Sequence, residues 1–264
     1  MNNFAKNEIY IRFHGLFLRK VKELQGGGLG DILLVEEVLN KTRFVIKSHR
    51  IDDYIDNEKF EFISYNDFVN NPEFKEFISE IIAYINLIHP NIVDFYGFDI
   101  VRGIPRILLL YVDGGNLHEW IHQKKLSSFK TIIEILIQIA TALKYSHEHG
   151  LHRDLKPSNI LMEKYNSNNQ FIVKIADFGL VKLLKNKHLS SYNIQERKDK
   201  NFLTEKYVGN CGYASPEQVS LIHGKIIDEN TDIFSFGQVA CEMICDGKNL
   251  KFINVIIYIQ LMDV

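Results

Sequence analysis

Cysteine is scarce. Cys211, Cys241 and Cys245 are the only ones among 264 residues. An odd number without paired spacing excludes a disulfide framework and suits a reducing compartment. Cys241 and Cys245 stand four apart on a stretch that reads as helix. A metal pair is one reading of them, and buried core thiols the simpler one. No apolar run reaches the ~20 residues of a membrane-spanning helix. The longest candidate, Ile132 to Leu143, is broken by Glu134, Gln138 and Thr141. The segment from Met1 to Glu8 lacks the apolar block of a secretory signal. Neither sign of charge dominates, and a net charge of −2 gives no bulk attraction to nucleic acid or to an anionic membrane. These absences predict a protein of the cytoplasm or nucleus, with neither nucleic acid nor membrane as partner.

What remains is an ordinary globular composition, 46% apolar and 24% charged, long enough for one large domain or two lobes. From Ile9 to Val21 apolar residues alternate loosely, as in strands or an extended lead-in. Gly26, Gly27, Gly28 and Gly30 follow, and such a run makes a turn whose backbone can approach a ligand closely. Ile32 to Val38 and Thr42 to Lys47 read as strands joined by a turn at Asn40-Lys41. A helix is predicted from Pro72 to Leu87, with Phe74, Phe77, Ile78, Ile81, Ile82 and Ile85 on one apolar face. Glu80 on that helix is a plausible partner for Lys47.

Arg106 to Tyr111 reads as a strand buried on both faces, ended by Gly114-Gly115. There the sequence turns from β-rich to helix-rich. Short and long helices are predicted over Leu117 to His122 and Ser128 to His149, the second capped by Ser127 or Ser128. Ile160 to Met162 and Phe171 to Ile175 form a predicted hairpin, and Asp177-Phe178-Gly179 follows. Lys182 to Lys206 is polar and unpatterned, as in a surface loop, and an apolar helix opens near Asp232.

The densest chemistry lies in His152-Arg153-Asp154-Leu155-Lys156-Pro157-Ser158-Asn159. Pro157 and Ser158 make it a loop. Asp154 can accept a hydroxyl proton, Lys156 can neutralise a moving phosphate, and Asn159 can hold a metal. Asp177 between a strand and a glycine suits a divalent cation.

Taken in order, these pieces resemble the eukaryotic-type protein kinases, serine/threonine branch, from about Val21 to Gly247. The resemblance implies an α+β, bilobal protein-kinase-like fold: a lead-in over 1–16, a β-rich N-lobe over 17–111, and a mainly helical C-lobe over 112–264 that lacks its last helices. It implies transfer of the γ-phosphate of ATP, with Mg2+, to serine or threonine hydroxyls of a protein substrate. Gly26, Gly27, Gly28 and Gly30 would cover the phosphates, and Lys47 and Glu80 would pair beneath them. Ile32, Val45 and Leu161 would sandwich adenine, Leu110 and Val112 would offer it backbone groups behind Leu109, and Asn116 would face the ribose. Asp154 would be the base and Lys156 its partner, with Asn159 and Asp177 on magnesium. Arg153 would receive an activation-loop phosphate, from Thr204 first, or from Ser190 or Ser191. Tyr84, Phe95, His152 and Phe178 would stack as a spine anchored by Asp232.

Two departures matter. Asn210 stands where these kinases carry a threonine that bridges the base and Lys156. Glu217 has no arginine after Arg197 to pair with, and a buried, unpaired carboxylate costs about 3–5 kcal/mol. The alternative to an active kinase is therefore a pseudokinase-type binding or scaffold protein, or an inactive kinase fragment.

Overall fold

The computed structural model describes residues 9–24, 30–49, 72–101, 104–126, 128–164, 171–178, 182–183, 212–219 and 228–245. The expectations placed on Gly26, Gly27, Gly28, Ser190, Ser191, Thr204 and Asn210 lie outside them. The chain divides into two compact units, one of Met1–Ile85 with Val93–Val112 and one of Asn86–Ile92 with Asp113–Val264.

The first unit is built on an antiparallel sheet of six strands. They are β1 (Tyr10–Phe13), β2 (Leu16–Leu24), β3 (Gly30–Glu37), β4 (Arg43–His49), β5 (Phe95–Val101) and β6 (Ile104–Leu110), in the order β1-β2-β3-β4-β6-β5. Residues 1–16, expected as a lead-in, contain β1, which pairs with β2 from Tyr10↔Arg19 to Phe13↔Leu16. The cause is local. His14 and Gly15 both take positive φ, 43° and 88°, as a tight two-residue hairpin requires, and Phe13 then enters the core.

That core is Phe13, Leu18, Val35, Phe44, Ile46 and Leu108, all at most 2% exposed. Cross-strand register stacks them on one face: Val35 lies opposite Phe44, and Ile46 opposite Leu108. Each such side chain contributes about 1.5–3 kcal/mol when fully buried. Alternation along the strands puts Ile32, Val45 and Lys47 on the other face, where Lys47 pairs across to Ile32 and Ile107, and Val45 to Leu34 and Leu109.

Helix α1 (Pro72–Asn86) belongs to this unit up to Ile85. Of its predicted apolar face, the side chains of Phe74 and Phe77 lie outside the described ones, and the rest turn partly away from the core. Ile81 is buried, but Ile82 and Ile85 are exposed, and Glu80, Ala83 and Tyr84 are buried instead. Glu80 is drawn inward by its pair with Lys47, which fixes the rotation of the helix against hydrophobic pattern alone.

In the second unit, helix α2 (Leu117–His122) and helix α3 (Phe129–His147) are followed by β7 (Gly150–Leu151) and a 3-10 turn (Pro157–Asn159). The hairpin of β8 (Ile160–Lys164) and β9 (Phe171–Ile175) comes next, then β10 (Lys182–Leu183), α4 (Pro216–Val219) and α5 (Glu229–Ile244). Ser128 caps α3 by accepting from the Thr131 amide at 3.1 Å, and α3 buries Ile132, Ile135, Ile139, Ala142 and Leu143. Asn91 ties Asn86–Ile92 to this unit: its amide donates to Gln138 Oε1 and to the Val173 carbonyl, both at 3.0 Å.

Three local expectations change. The surface loop predicted from Lys182 begins with β10, which pairs with β7. Cys241 and Cys245 are free and half-buried rather than core thiols, because the buried face of α5 runs through Asp232, Ser235, Val239 and Met243. Helix α5 also starts earlier than predicted, because Asp228 caps it by accepting from the Asn230 amide at 2.9 Å. No described helix is long and apolar enough to cross a membrane.

At Gly114 two backbones meet closely. A Cβ there would lie 1.9 Å from the Met162 carbonyl oxygen, while the Gly114 carbonyl accepts from Trp120 Nε1 at 2.8 Å. Gly114→Ala should therefore destabilise the chain by about 1–3 kcal/mol, seen as a lower urea midpoint. An unchanged midpoint would show that the contact relaxes freely.

Candidate active site

In the first unit, strand β4 presents Lys47 and helix α1 presents Glu80. Lys47 Nζ donates to both carboxylate oxygens, at 2.8 and 3.0 Å. The Glu80 side chain is 3% exposed and that of Lys47 19%. An ammonium held this way is an oriented, partly open cation. Ile32 and Val45 share its face of the sheet. Leu110 donates its N–H to the Asp94 carbonyl at 2.9 Å, so of its backbone groups only the carbonyl could serve a ligand. Val112 ends the unit and is buried. Tyr84 and Phe95 stack at 5.9 Å between ring centroids, nearly parallel.

In the second unit, the loop after β7 gathers the other candidates. Lys156 Nζ donates to Asp154 Oδ2 at 2.6 Å. Asn159 Nδ2 donates to the same oxygen at 3.2 Å and to the Asp154 carbonyl at 2.9 Å. Two donors thus converge on Oδ2. The Asn159 carbonyl accepts from the Ala176 amide at 2.9 Å, which brings Asn159 beside Asp177. Asp177 and Arg153 both hold left-handed φ, 65° and 66°, a strained geometry for residues with a Cβ. Asn116 caps α2 in a reciprocal box with Glu119 and forms a β-bridge to Leu161. So the structure joins Asn116 with Leu161, Asp154 with Lys156 and Asn159, and Lys47 with Glu80.

The loop is held by Asp232, which is fully buried on α5. Its carboxylate accepts from the amides of His152 at 2.8 Å and Arg153 at 2.7 Å, and from His147 Nε2 at 2.9 Å. Burial pushes the Asp232 carboxyl up, but the His147 hydrogen bond, the electrostatic effect of His152 and the two backbone amides together more than offset it, so its pKa lies below the ordinary value. The His152 ring accepts the Asp154 amide at Nδ1, 3.3 Å, leaving Nε2 to donate to the Ala176 carbonyl at 3.1 Å, and it packs 4.7 Å from the Phe178 ring.

Sequence reasoning missed two supports. Gln218 Nε2 donates to the Arg153 carbonyl at 2.9 Å, and its Oε1 accepts from the Ser215 amide at 3.0 Å. His147 clamps Asp232, but in the sequence it is one of several histidines at the end of a helix. Neither carries a local signal, because the partner is distant in the chain. Glu217 is also corrected. It is half-buried rather than buried and accepts from the Thr231 hydroxyl at 2.9 Å, so it is not left uncompensated. Arg153 is different. Burial lowers the proton affinity of its guanidinium, which Asp232 partly restores, and its buried Nε has no hydrogen-bond partner among the described residues.

The ion-paired strand lysine of the first unit and, in the second, the loop joining Asp154, Lys156 and Asn159 are each features of the protein kinase class. The protein kinase domain matches residues 18–255. The chain belongs to the protein kinase family. It is 35% identical over 180 residues to the "Probable receptor-like protein kinase" of Arabidopsis thaliana, covering 64% of this chain and 33% of that protein. It is 32% identical to the "Probable serine/threonine-protein kinase" of Clostridium perfringens, over 68% of this chain and 24% of that one. It is 28% identical to the serine/threonine-protein kinase PrkC of Bacillus subtilis, over 85% of this chain and 30% of that one. The chain thus spans a quarter to a third of the length of these relatives.

Asp232 yields a pH-dependent prediction. A carboxyl whose folded pKa lies below its ordinary 3.8 stabilises the fold above that value, and loses this as pH falls through the folded pKa. Asp232→Asn should cost about 1–3 kcal/mol at neutral pH. The gap from the parent should close only in strong acid, below about pH 4. Urea titrations across pH check this, and a gap that closes already at pH 6 would place the coupling in another group.

Proposed function

We propose that this chain is an ATP-dependent protein kinase that transfers the γ-phosphoryl group of Mg-ATP to serine or threonine hydroxyls of a protein substrate. The convergence of Lys156 and Asn159 on Asp154 Oδ2 carries the reading. It leaves Oδ1 to take a hydroxyl proton while Lys156 stays beside the reacting oxygens. Lys156 two residues after the base favours serine and threonine over tyrosine.

The oxygen donors of Asn159 and Asp177 fit a hard cation such as Mg2+. When bound there, the ion would neutralise phosphate charge as it shifts toward the acceptor. Lys47, aimed by Glu80, orients the nucleotide's phosphates. Ile32, Val45 and Leu161 offer apolar surface to adenine, Leu110 its carbonyl and Val112 its amide, and Asn116 faces the ribose. Arg153 takes an activation-loop phosphate: its Nε, without a hydrogen-bond partner among the described residues, is a charge-assisted donor in waiting. Thr204 is the first candidate to carry that phosphate, with Ser190 and Ser191 behind it.

Phosphate transfer from labelled Mg-ATP to a protein substrate tests this. Asp154→Asn, which removes the base, should lower the rate by about 10²–10⁴-fold. Asp177→Ala should abolish transfer, and Lys47→Met should weaken it strongly, while melts stay cooperative. Transfer by Asp177→Ala at the parent rate would sink the assignment, and nucleotide binding without transfer in the parent chain would favour a pseudokinase. Thr204→Ala should lower activity, and unchanged activity would remove Thr204 as the switch.

A further inference from the structure

Helix α2 reads His118-Glu119-Trp120-Ile121-His122. Histidines four apart lie on one face of a helix, the spacing with which paired imidazoles chelate a metal. Their rings stand 4.2 Å apart between centroids, and both side chains are exposed. Helix α5 of the same unit brings a third donor: Glu242, 8% exposed, has Oε1 4.0 Å from His118 Nδ1. One donor atom from each of the three lies within 4.8 Å of the others. Glu242 is also pre-aimed, because the Tyr213 hydroxyl donates to Oε2 and so leaves Oε1 toward the histidines. Such an outer hydrogen bond fixes the orientation of a ligating carboxylate.

We infer that His118, His122 and Glu242 form a site for a divalent transition metal, zinc above all, that clips α2 to α5. Bonds of about 2.0–2.2 Å in tetrahedral geometry bring ligand atoms to about 3.3 Å of one another. Rotation of two exposed imidazoles closes that difference without moving backbone. Two nitrogens and one carboxylate oxygen select zinc, copper or nickel over magnesium or calcium, and water completes the shell.

The sequence pattern is also that of zinc hydrolases, in which the glutamate after the first histidine acts as base. Here Glu119 is spent on the helix cap: Oε2 accepts from the Asn116 amide at 3.4 Å and Oε1 from Asn116 Nδ2 at 3.3 Å. The site is therefore one of binding and clamping rather than hydrolysis. It uses none of the residues assigned to phosphoryl transfer, so either reading stands without the other.

The test is titration of the metal-free 264-residue chain with Zn2+ by calorimetry and with Co2+ by visible absorption. The parent should take up one equivalent that the His118→Ala/His122→Ala double variant has lost, with the metal-free melt of that variant unchanged because both side chains are exposed. Glu242→Gln keeps an acceptor for Tyr213 while removing the charge, and should weaken binding by about tenfold or more. Bound Co2+ should show d–d bands without thiolate charge transfer, and Zn2+ should raise the melting temperature of the parent but not of the double variant. Equal uptake by parent and double variant overturns the proposal. So does a thiolate band, which would move the metal to the cysteines, or Glu242→Gln binding like the parent.

Discussion

Asp232 carries a buried charge, and the catalytic-loop candidates depend on how that charge is satisfied. A carboxylate with no exposure must find donors within reach, and the donors it finds are the amides of His152 and Arg153 together with the His147 ring. Those amides can point at one carboxylate only if the backbone turns sharply, and Arg153 at φ 66° is that turn. Asp154 then leaves the turn in a fixed direction, with Lys156 and Asn159 gathered on one of its oxygens. The strain of one residue is held by hydrogen bonds to a charge, and these are roughly twice as strong as neutral ones.

Around this anchor the second unit repeats one device, a polar side chain bonding to backbone far away in sequence. Gln218 holds the Arg153 carbonyl, Asn91 holds Val173, and His152 holds Ala176. Arg153 and Ala176 lie outside regular secondary structure and Val173 on β9, and each carbonyl so gains a partner. The first unit works differently. Its sheet is secured by cross-strand apolar pairs, and among its described residues the Lys47–Glu80 pair is where a charge joins helix to sheet. An apolar residue at Glu80 would leave the Lys47 ammonium without its bidentate partner.

Metal clamping of α2 and α5 would add a second anchor to the helix that carries Asp232. Residues Asp232 and Glu242 sit ten positions apart on α5, one holding loop backbone and the other facing α2. A helix fixed at both places is a firmer support for the loop it carries, since a positioned charge is only as well placed as the element beneath it.

Periodicities and short motifs were legible in the sequence. Short apolar runs between turn residues marked β3, β4 and β6, the 3.6-residue repeat and Ser128 marked α3, and the order of glycines, Lys47, Asp154, Asn159 and Asp177 marked the family. Local chemistry suffices there, because strands, caps and turn residues act within a few positions of one another. The turn of α1 that buries Glu80 while exposing Ile82 and Ile85, the left-handed φ of Arg153 and Asp177, and the meeting of Glu242 with a histidine pair were decided only by tertiary structure. In each case the partner lies far off in the chain, or one of two acceptable faces had to be chosen. Sequence pattern names the residues able to bond, and only the packed chain determines which of them meet.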